Sequence, residues 1–232
     1  MRGRIYGIGV GTGDPEDITL KAIRLIKESD VLACPRKDLA KCRAYQIAKQ
    51  AIPEIGSIET LAFEFEMTRD VYECKRNHKK IYDTVKELVF AGKTVAFLTI
   101  GDPALYSTFS YIAELARRDG IETYSVSGIS SISACANSVG IPLCEGEEQL
   151  HVIPNTEKLE EFLGLPGTKV IMKCGRDMRR VKEKLKKERN ISVYAVSECG
   201  TADERCYRGI EELPNDGNYM LTLLGKNKEE KD

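Results

Sequence analysis

The sequence predicts an α/β protein with a parallel sheet in its first half and a mixed sheet in its second half. Strand-like and helix-like patterns alternate through the first half of the 232 residues, a rhythm typical of β-α-β units. The last three strand candidates follow one another with no room for a helix between them, so they should pair antiparallel. We place the boundary near Ser127–Gly128, which divides the chain into domains of residues 1–127 and 128–232.

The first predicted helix follows a glycine-rich turn. Asp14 offers an N-cap and Pro15 suits the first helical position, so the helix should begin there. Its apolar residues recur at helical spacing on one face and are Ile18, Ala22, Leu25 and Ile26.

The remaining elements of the first half alternate in the same way. The predicted strands are Arg4–Val10, Val31–Cys34, Thr94–Thr99 and Glu122–Val126. The predicted helices are Arg69–Ala91, closed by Gly92, and Leu105–Arg118, ended by Gly120. Because Thr94–Thr99 is mostly apolar, we expect it at the centre of the parallel sheet.

In the second half, five segments read as strands. They are Leu150–Pro154, Lys169–Lys173, Ser192–Val196, Arg205–Arg208 and Tyr219–Leu224. The charged tail Lys226–Asp232 is expected to fray.

Composition excludes several functional classes. Hydrophobic residues make up 42% of the chain, too many for a disordered protein. The 35 basic and 36 acidic residues leave a net charge of -1, which favours neither nucleic acid nor an acidic membrane as partner. With only two histidines, a histidine dyad or a His-rich metal site is not expected.

The cysteines and the N-terminus indicate a cytoplasmic protein with reduced thiols. The eight cysteines form no C-x-x-C pair, which argues against zinc ribbons and thioredoxin-type motifs. We expect no signal peptide and no membrane span, since no apolar run approaches about 18 residues. Most of the cysteines should be small core residues.

Two glycine-rich turns are candidate binding loops. The segment Gly7–Pro15 lacks the dinucleotide fingerprint, because its three possible registers require glycine at Thr12, Asp14 or Glu16. It is either a tight turn or a loop of exposed backbone for a flat ligand. The second turn, Gly101–Pro103, follows an apolar strand, where open α/β sheets bind ligands. Its Asp102 either accepts hydrogen bonds from a ligand or caps the following helix.

Four segments, in the family's order and spacing, resemble the tetrapyrrole methylases, which are class III S-adenosylmethionine-dependent methyltransferases. They are Gly9–Pro15, Gly101–Pro103, Ser127–Ser131 and Gly140–Leu143. Within the family, Met67–Asp70, Gly101–Thr108 and Met172–Arg176 most resemble the C20-methyltransferases of corrin (cobalamin) biosynthesis, which act on precorrin-2 or cobalt-factor II. The chain lacks the G-R-x-x-E-E continuation of other branches, and it has Ser127 where the family usually has proline.

The resemblance implies a two-domain fold with the active site in the cleft between the domains. It implies S-adenosyl-L-methionine as cofactor, S-adenosyl-L-homocysteine as product, and a homodimer. Gly101, Asp102, Pro103 and Leu105 would contact the methionine and ribose of the donor, and Ser130 and Ser131 would reach it from a helix start. Met172, Met220 and Leu221 would pack on the adenine. For Met172, a place in the strand's core is the alternative.

The resemblance also places a tetrapyrrole over the first glycine loop, at Gly9, Gly11, Thr12 and Gly13. Basic residues near strand ends would pair with its carboxylates, or lie as ordinary solvated side chains: Arg36, Lys37, Lys173 and Arg176. Asp102 would orient the donor, and Tyr106, Ser107 or Thr108 would position the substrate. We name no general base and expect no metal bound by the protein. The sequence does not decide whether the substrate carries cobalt.

Other interpretations stay open. Residues 169–189 hold ten basic against three acidic residues, typical of a solvated helix face, a substrate-steering surface or a nucleic-acid patch. The lack of interleaved aromatic residues argues against nucleic acid. The segment Leu61–Phe65 is a candidate dimer interface. Alternatives to the C20 reaction are another substrate of the same superfamily (a different tetrapyrrole position, RNA or protein) and tetrapyrrole binding without turnover.

Overall fold

The computed structural model describes residues 3–66, 68, 70–188 and 190–227. Met67, Arg69 and Arg189, each part of a segment singled out above, lie outside the described residues. The chain forms two compact units, Met1–Ser130 and Ser131–Asp232. The boundary that we place between residues 127 and 128 lies slightly before this division.

The first unit contains the predicted parallel sheet. Its strands run in the order β3-β2-β4-β1-β5, all parallel. They are β1 (Ile5–Gly9), β2 (Val31–Cys34), β3 (Glu59–Ala62), β4 (Val95–Thr99) and β5 (Thr123–Val126). As predicted from its apolar sequence, β4 is central and buried along its whole length. The edge strand β3 was not predicted.

Helices form the other layers of this unit. They are α1 (Leu20–Lys27), α2 (Arg43–Ala51), α3 (Val71–Phe90) and α4 (Phe109–Arg118). Successive residues of a strand point to opposite faces, so Leu98 packs with α1 and α2 while Phe97 packs with α3 and α4. The sheet therefore separates two hydrophobic cores.

Two helices begin four or five residues later than predicted. The α1 helix starts at Leu20, because Asp14 caps a short 3-10 turn and Thr19 then caps the helix by accepting from Ala22 N–H at 3.1 Å. The α4 helix starts at Phe109 rather than Leu105, since residues 102–108 form a loop. In both cases a cap-like Asp-Pro pair closes a turn first.

The second unit contains a five-stranded mixed sheet in the order β6-β7-β10-β8-β9. Its elements are α5 (Ser131–Ser138), β6 (Leu150–Ile153), α6 (Leu159–Leu163), β7 (Thr168–Ile171), α7 (Met178–Leu185), β8 (Ile191–Ser197), β9 (Arg205–Arg208) and β10 (Thr222–Asn227).

The predicted antiparallel pairing of the last three strands is confirmed for β8 with β9 and for β8 with β10. However, β10 does not extend the sheet beyond β9. It lies between β7 and β8, antiparallel to both, because residues 222–225 are buried whereas β9 is mostly exposed. The strand also begins at Thr222, so Tyr219, Met220 and Leu221 precede it.

The cysteines are free thiols, and most are buried as predicted. The buried ones are Cys34, Cys42, Cys135, Cys174 and Cys199. Among the helices of the described residues, none has the length and apolar character that crossing a membrane requires.

Candidate functional site

The carboxyl ends of β1, β4 and β5 bring three predicted loops together in the first unit. These strands are neighbours in a parallel sheet, so the loops that follow them emerge at the same edge. Gly101 N–H donates to Gly11 C=O at 2.8 Å, and Val10 N–H donates to Thr99 C=O at 3.0 Å. The loops after β1 and β4 are thus joined through their backbones.

Glycine is required where these loops cross. A Cβ atom on Gly9 would lie 2.4 Å from the Gly101 carbonyl oxygen and 2.7 Å from the Gly128 nitrogen. Gly101 itself has φ +69°, a left-handed conformation that favours glycine. A Cβ on Gly101 would make ordinary contacts, at 3.9 Å, with backbone atoms of Ile129 and Ser130. The structure therefore shows the first loop as a tight turn packed against neighbouring backbone, and the approach of a flat ligand to it stays a prediction.

Asp102 connects two of the loops. Its Oδ1 atom accepts from Ala104 N–H at 2.7 Å, and its Oδ2 atom accepts from Gly128 N–H at 3.1 Å. The expectation that Asp102 caps the following helix is wrong, because α4 begins at Phe109. The carboxylate instead closes its own turn and ties the loop after β4 to the loop after β5. It is half-buried, so it remains able to contact a ligand.

The rest of this loop contains a buried side chain that holds the loop in place and an exposed side chain that can contact a ligand. Ser107 is buried, shares a 2.9 Å hydrogen bond with Thr99 Oγ1, and accepts from Phe109 N–H at 3.2 Å. Ser107 therefore positions the loop. Tyr106 is 48% exposed and has φ +50°, a conformation that costs a non-glycine residue about 1–3 kcal/mol. Of the three residues predicted to position a substrate, Tyr106 is the most exposed.

The remaining donor candidates of the first unit lie on the same loops. Pro103 is buried and Leu105, whose N–H donates to Asp102 C=O at 3.1 Å, is half-buried. Ser130 is the last residue of the first unit, and Ser131 is the first residue of α5 and of the second unit.

One contact to the first glycine loop was not predicted. Arg43, the first residue of α2, donates from Nε to the Thr12 carbonyl oxygen at 3.0 Å. Gly11, Thr12 and Gly13 are buried. Because Arg43 lies 31 residues from Thr12, no local pattern could reveal this contact.

Asp17 lies under the same loop. Its Cβ atom would be 3.2 Å from a Cβ on Gly11. Burial, and next the charge of Asp14, raises the pKa of Asp17. Arg36 and Lys37, predicted to bind substrate carboxylates, are exposed after the end of β2 at this edge.

In the second unit, the other candidates lie at one edge of the mixed sheet, where β7 and β8 end and β10 begins. Met172 is half-buried one residue after β7, and its N–H donates to Ile153 C=O at 2.9 Å. The alternative that Met172 is a residue of the strand's core is wrong, because it lies outside both strand and core cluster. Met220 is half-buried, whereas Leu221 is a core residue.

Two residues at this edge hold the left-handed conformation. Lys173 has φ +55° and Glu198 has φ +53°. The Lys173 ammonium lies 5.5 Å from the centroid of the Tyr219 ring, and Asn218 Nδ2 donates to Glu198 Oε1 at 2.6 Å. Glu198 and Asn218 were not predicted. Arg176 is exposed in the short 3-10 turn after Lys173.

Three basic residues of the segment around α7 form ion pairs with acidic residues. The ion pairs are Arg179–Asp216 at 3.2 Å, Lys184–Glu160 at 2.5 Å and Lys186–Glu211 at 3.2 Å. Lys182 donates to Leu213 C=O at 2.7 Å. This pattern favours the solvated helix face over a nucleic-acid patch.

Both histidines pack on aromatic rings. His78 stacks on Tyr111 with centroids 4.4 Å apart, and burial lowers its pKa. His151 lies edge-on to Phe162 at 6.4 Å. The described residues contain no cluster of three His, Cys, Asp or Glu side chains suited to a metal ion.

Part of the candidate dimer segment Leu61–Phe65 packs into the core of the first unit. Phe65 is buried and packs edge-on against Phe97 at 5.8 Å, while Leu61 and Phe63 pack against the same core. Phe65 is therefore not available for an interface.

Comparison with known proteins identifies related sequences. A sequence profile of the family described as Tetrapyrrole (Corrin/Porphyrin) Methylases matches residues 4–214. The chain is 38% identical over 195 residues to a probable cobalt-precorrin-2 C(20)-methyltransferase of Methanocaldococcus jannaschii, covering 83% of this chain and 80% of the relative. It is 29% identical to a precorrin-2 C(20)-methyltransferase of Sinorhizobium sp., covering 96% and 94%.

Solved structures confirm the fold. A cobalt precorrin-4 methyltransferase aligns with a TM-score of 0.76 at 20% identity, covering 96% of this chain and 94% of that one. A uroporphyrin-III C-methyltransferase from Thermus thermophilus, complexed with S-adenosyl homocysteine, aligns with a TM-score of 0.70 at 21% identity, covering 97% of each chain.

Proposed function

The chain belongs to the tetrapyrrole (corrin/porphyrin) methylase family, and on this basis we propose that it is a precorrin-2 C20-methyltransferase. It transfers a methyl group from S-adenosylmethionine to C20 of precorrin-2 or of its cobalt-containing form, a step of cobalamin biosynthesis. The observation that carries this function is the 38% identity to the relative from Methanocaldococcus jannaschii, over most of both chains.

Two further relatives support the same position of methylation. The protein from Sinorhizobium sp. is named for precorrin-2, and one from Salmonella typhimurium, 28% identical over 97% of this chain, is named for cobalt-precorrin-2. The relatives therefore agree on C20 but differ in the metal content of the substrate. A turnover assay with both substrates measures whether this chain prefers the metal-free or the cobalt-containing tetrapyrrole.

The loop after β4 fits a small donor with hydroxyl groups, because the half-buried carboxylate of Asp102 can accept hydrogen bonds from them. We expect Gly101, Asp102 and Leu105 to hold the methionine and ribose of S-adenosylmethionine. When bound, S-adenosylmethionine supplies a methyl group already activated on a positively charged sulfur.

The residues of the chain then act chiefly by positioning. The backbone hydrogen bond between Gly101 and Gly11, and the bond from Gly128 N–H to the Asp102 carboxylate, hold the loops in one arrangement before a ligand arrives. Fixed geometry of this kind supplies much of the rate enhancement when two bound groups must meet at about 3–3.5 Å. Exclusion of water by the ligands and the buried loop residues favours dispersal of the sulfonium charge.

Basic side chains provide the proposed contacts to the substrate. A tetrapyrrole of this class carries acetate and propionate groups around its rim, and guanidinium pairs with carboxylate through two hydrogen bonds. Arg36 and Lys37 are exposed at the carboxyl edge of the first sheet, and Arg176 is exposed in the second unit. Tyr106 is the proposed contact to the macrocycle.

In the second unit, Met172 and Met220 are the proposed contacts to the adenine, and their half-buried side chains are available for them. Leu221 supports this region from the core. We further propose that the protein is a homodimer, and light scattering of the full chain measures this directly.

An anaerobic turnover assay tests the function. Metal-free precorrin-2 and cobalt-factor II are offered separately with S-adenosylmethionine, and the mass of the tetrapyrrole is followed together with formation of S-adenosylhomocysteine. We expect a gain of one methyl group, and fragmentation or NMR should place it at C20. The faster substrate identifies the metal preference.

Other outcomes would contradict the proposal in different ways. A methyl group gained at another carbon would keep the family and overturn the C20 assignment. A bound, coloured tetrapyrrole that never gains mass would instead identify a binding protein without turnover.

A further inference from the structure

Backbone segments from three neighbouring strands meet at one edge of the mixed sheet in the second unit. β10 lies between β7 and β8 and is antiparallel to both, so the residues before β10 lie beside the residues that follow the other two strands. Gly217 N–H donates to Gly175 C=O at 3.0 Å, and a Cβ on Gly175 would collide with the Asn218 carbonyl oxygen. The backbone that leads into β10 is thus packed directly onto the turn that follows β7.

Asn218 organises this segment with both ends of its side chain. Its Nδ2 atom donates to Glu198 Oε1 at 2.6 Å, and its Oδ1 atom accepts from Met220 N–H at 3.1 Å. Its backbone C=O also accepts from Leu221 N–H at 3.3 Å. A carboxylate only accepts hydrogen bonds, so Glu198 fixes the Asn218 amide with its nitrogen toward Glu198 and its oxygen toward Met220. The course of residues 218–221 therefore depends on the bond between Glu198 and Asn218.

The backbone conformation of Glu198 is unfavourable for a residue with a side chain. Glu198 directly follows β8 and has φ +53°, and Lys173, after β7, has φ +55°. Strained residues of this kind persist where the surrounding structure holds them, and they concentrate at functional sites. Glycine would adopt this conformation without the cost, so the carboxylate is what glutamate adds at this position. That carboxylate is half-buried and is bound to Asn218.

The role of this bond rests on the proposed function, in which Met220 contacts the adenine of S-adenosylmethionine. We propose that Glu198 and Asn218 are positioning residues for that donor, and that the hydrogen bond between them holds Met220 in place for the adenine. Met220 is half-buried and its own N–H is bound by Asn218, so the pair acts on the donor through Met220. Because the segment is held before the donor arrives, binding does not have to order it, and the donor binds more tightly.

The direction of the hydrogen bond allows a test by exchange of its two partners. Asn218→Asp places a second carboxylate against Glu198, and the two like charges repel each other. The Kd for S-adenosylhomocysteine should then rise about 5- to 10-fold, the effect of one lost hydrogen bond to a charged group. In the double variant with Glu198→Gln, the new amide donates to the new carboxylate, whose other oxygen still accepts from Met220 N–H. The Kd should return to within about twofold of the natural chain.

Isothermal titration calorimetry of the full chain measures these affinities without turnover. The ligands are S-adenosylhomocysteine and 5′-methylthioadenosine, which keeps the adenine and ribose but lacks the amino-acid part. Asn218→Asp should weaken both ligands by the same factor, because the change acts at the adenine. In steady-state kinetics the KM for S-adenosylmethionine should rise, while kcat and the KM for the tetrapyrrole should stay as in the natural chain. A general loss of structure would lower kcat as well.

Asn215→Asp is the matched control, since it makes the same change of charge three residues earlier in the chain. Asn215 Oδ1 accepts from Lys182 Nζ at 3.3 Å, so the new carboxylate would face a lysine instead of Glu198. This variant should bind both ligands as the natural chain does. If Asn218→Asp folds poorly, Glu198→Gly replaces it in the test. It removes the carboxylate at a position whose conformation suits glycine, and it should raise the Kd for S-adenosylhomocysteine by the same 5- to 10-fold.

Two results would overturn the positioning role. One is natural affinity for S-adenosylhomocysteine in the folded single variants, and the other is a double variant that binds no more tightly than Asn218→Asp alone. The proposed function fails separately. A natural chain that binds S-adenosylhomocysteine, loses that affinity in Asn218→Asp and yet methylates no tetrapyrrole would refute the reaction and leave the positioning role standing. A natural chain that binds neither ligand would refute both.

Discussion

The Asp102 carboxylate accepts a hydrogen bond from the backbone N–H of Gly128 at 3.1 Å, across 26 positions of sequence. This bond joins the loops after β4 and β5, and the other oxygen of Asp102 closes its own turn at Ala104 N–H. The same carboxylate is thus both a structural tie and the proposed donor contact. Its removal should affect stability and activity together.

Asp102→Ala should lower the free energy of unfolding by about 2–4 kcal/mol, since two hydrogen bonds to a charged acceptor are lost. The value of kcat/KM should fall about 100-fold as the loop shifts from its position. Urea unfolding and steady-state kinetics measure the two effects. Asp30→Ala is the control, because Asp30 Oδ2 accepts from Thr94 N–H at 2.7 Å before β2 and β4 begin, at the opposite edge of the sheet. An Asp102→Ala protein with normal donor affinity would remove Asp102 from the site.

Gly9→Ala should destabilise the protein by about 2 kcal/mol or more, because the added Cβ meets two backbone segments that cannot both move aside. Gly56→Ala provides the matched control, since a Cβ at Gly56 has nothing within 4 Å. Gly56→Ala should change stability by less than about 1 kcal/mol. Equal urea midpoints for the two variants would show that the loop crossing at Gly9 is loose in solution.

Tyr106→Gly should lower the activity without lowering the stability of the protein. Glycine relieves the left-handed strain of about 1–2 kcal/mol and costs about 0.5–1 kcal/mol in chain entropy, so stability should stay level or rise slightly. The kcat/KM for the tetrapyrrole should nevertheless fall, because the exposed ring is lost.

Tyr111→Gly serves for comparison with Tyr106→Gly. Tyr111 is similarly exposed but helical, so glycine there should cost about 1 kcal/mol or more. Unchanged kinetics in Tyr106→Gly would exclude Tyr106 from substrate positioning.

Arg36→Gln should raise the KM for the tetrapyrrole about fivefold while leaving the KM for S-adenosylmethionine unchanged, as expected for one charged contact at a solvated rim. The effect should shrink at high salt, since exposed charges are screened. Arg24→Gln is the control, because Arg24 is an exposed arginine paired with Glu28 on α1. If both variants raise KM alike, the effect is one of general charge and Arg36 makes no specific contact.

Asp17→Asn should raise the melting temperature at pH 7. The raised pKa of Asp17, caused by burial and by Asp14, means that its ionised form is disfavoured by folding. A raised carboxyl pKa contributes stability that is present below the unfolded pKa and is lost as pH rises through the folded pKa. The asparagine variant should therefore gain about 1–2 °C at pH 7, and the gain should vanish as pH falls toward 4.

Glu54→Gln is a control in which the melting temperature should shift in the opposite direction. The hydrogen bond from Lys27 lowers the pKa of Glu54, so its contribution is present above the unfolded pKa and is lost as pH falls through the folded pKa. This variant should melt slightly below the natural chain at pH 7. If Asp17→Asn and Glu54→Gln both melt higher than the natural chain, the assignment for Glu54 is wrong, and if both melt lower, the assignment for Asp17 is wrong.

Local signals explain most of what could be predicted of the fold. The apolar run of β4, the alternation of β1 and the glycine after α3 act within a few residues, so each was recognisable without tertiary information. The helix starts at Leu20 and Phe109 were missed because Asp-Pro pairs suit a turn as well as a helix cap. β3 was missed because four partly exposed residues give no clear pattern.

The same distinction between local signals and tertiary contacts applies to the candidate site. The sequence alone determined which loops carry the glycines, the Asp102 carboxylate and the exposed basic residues, since these depend on residue type and on the position of strand ends. Only the tertiary structure decided that Asp102 meets Gly128 and that Arg43 meets Thr12. It also placed β10 between β7 and β8. These pairings join segments that have no common local pattern, because they form only when burial of the sheet's apolar faces brings separate loops to one edge.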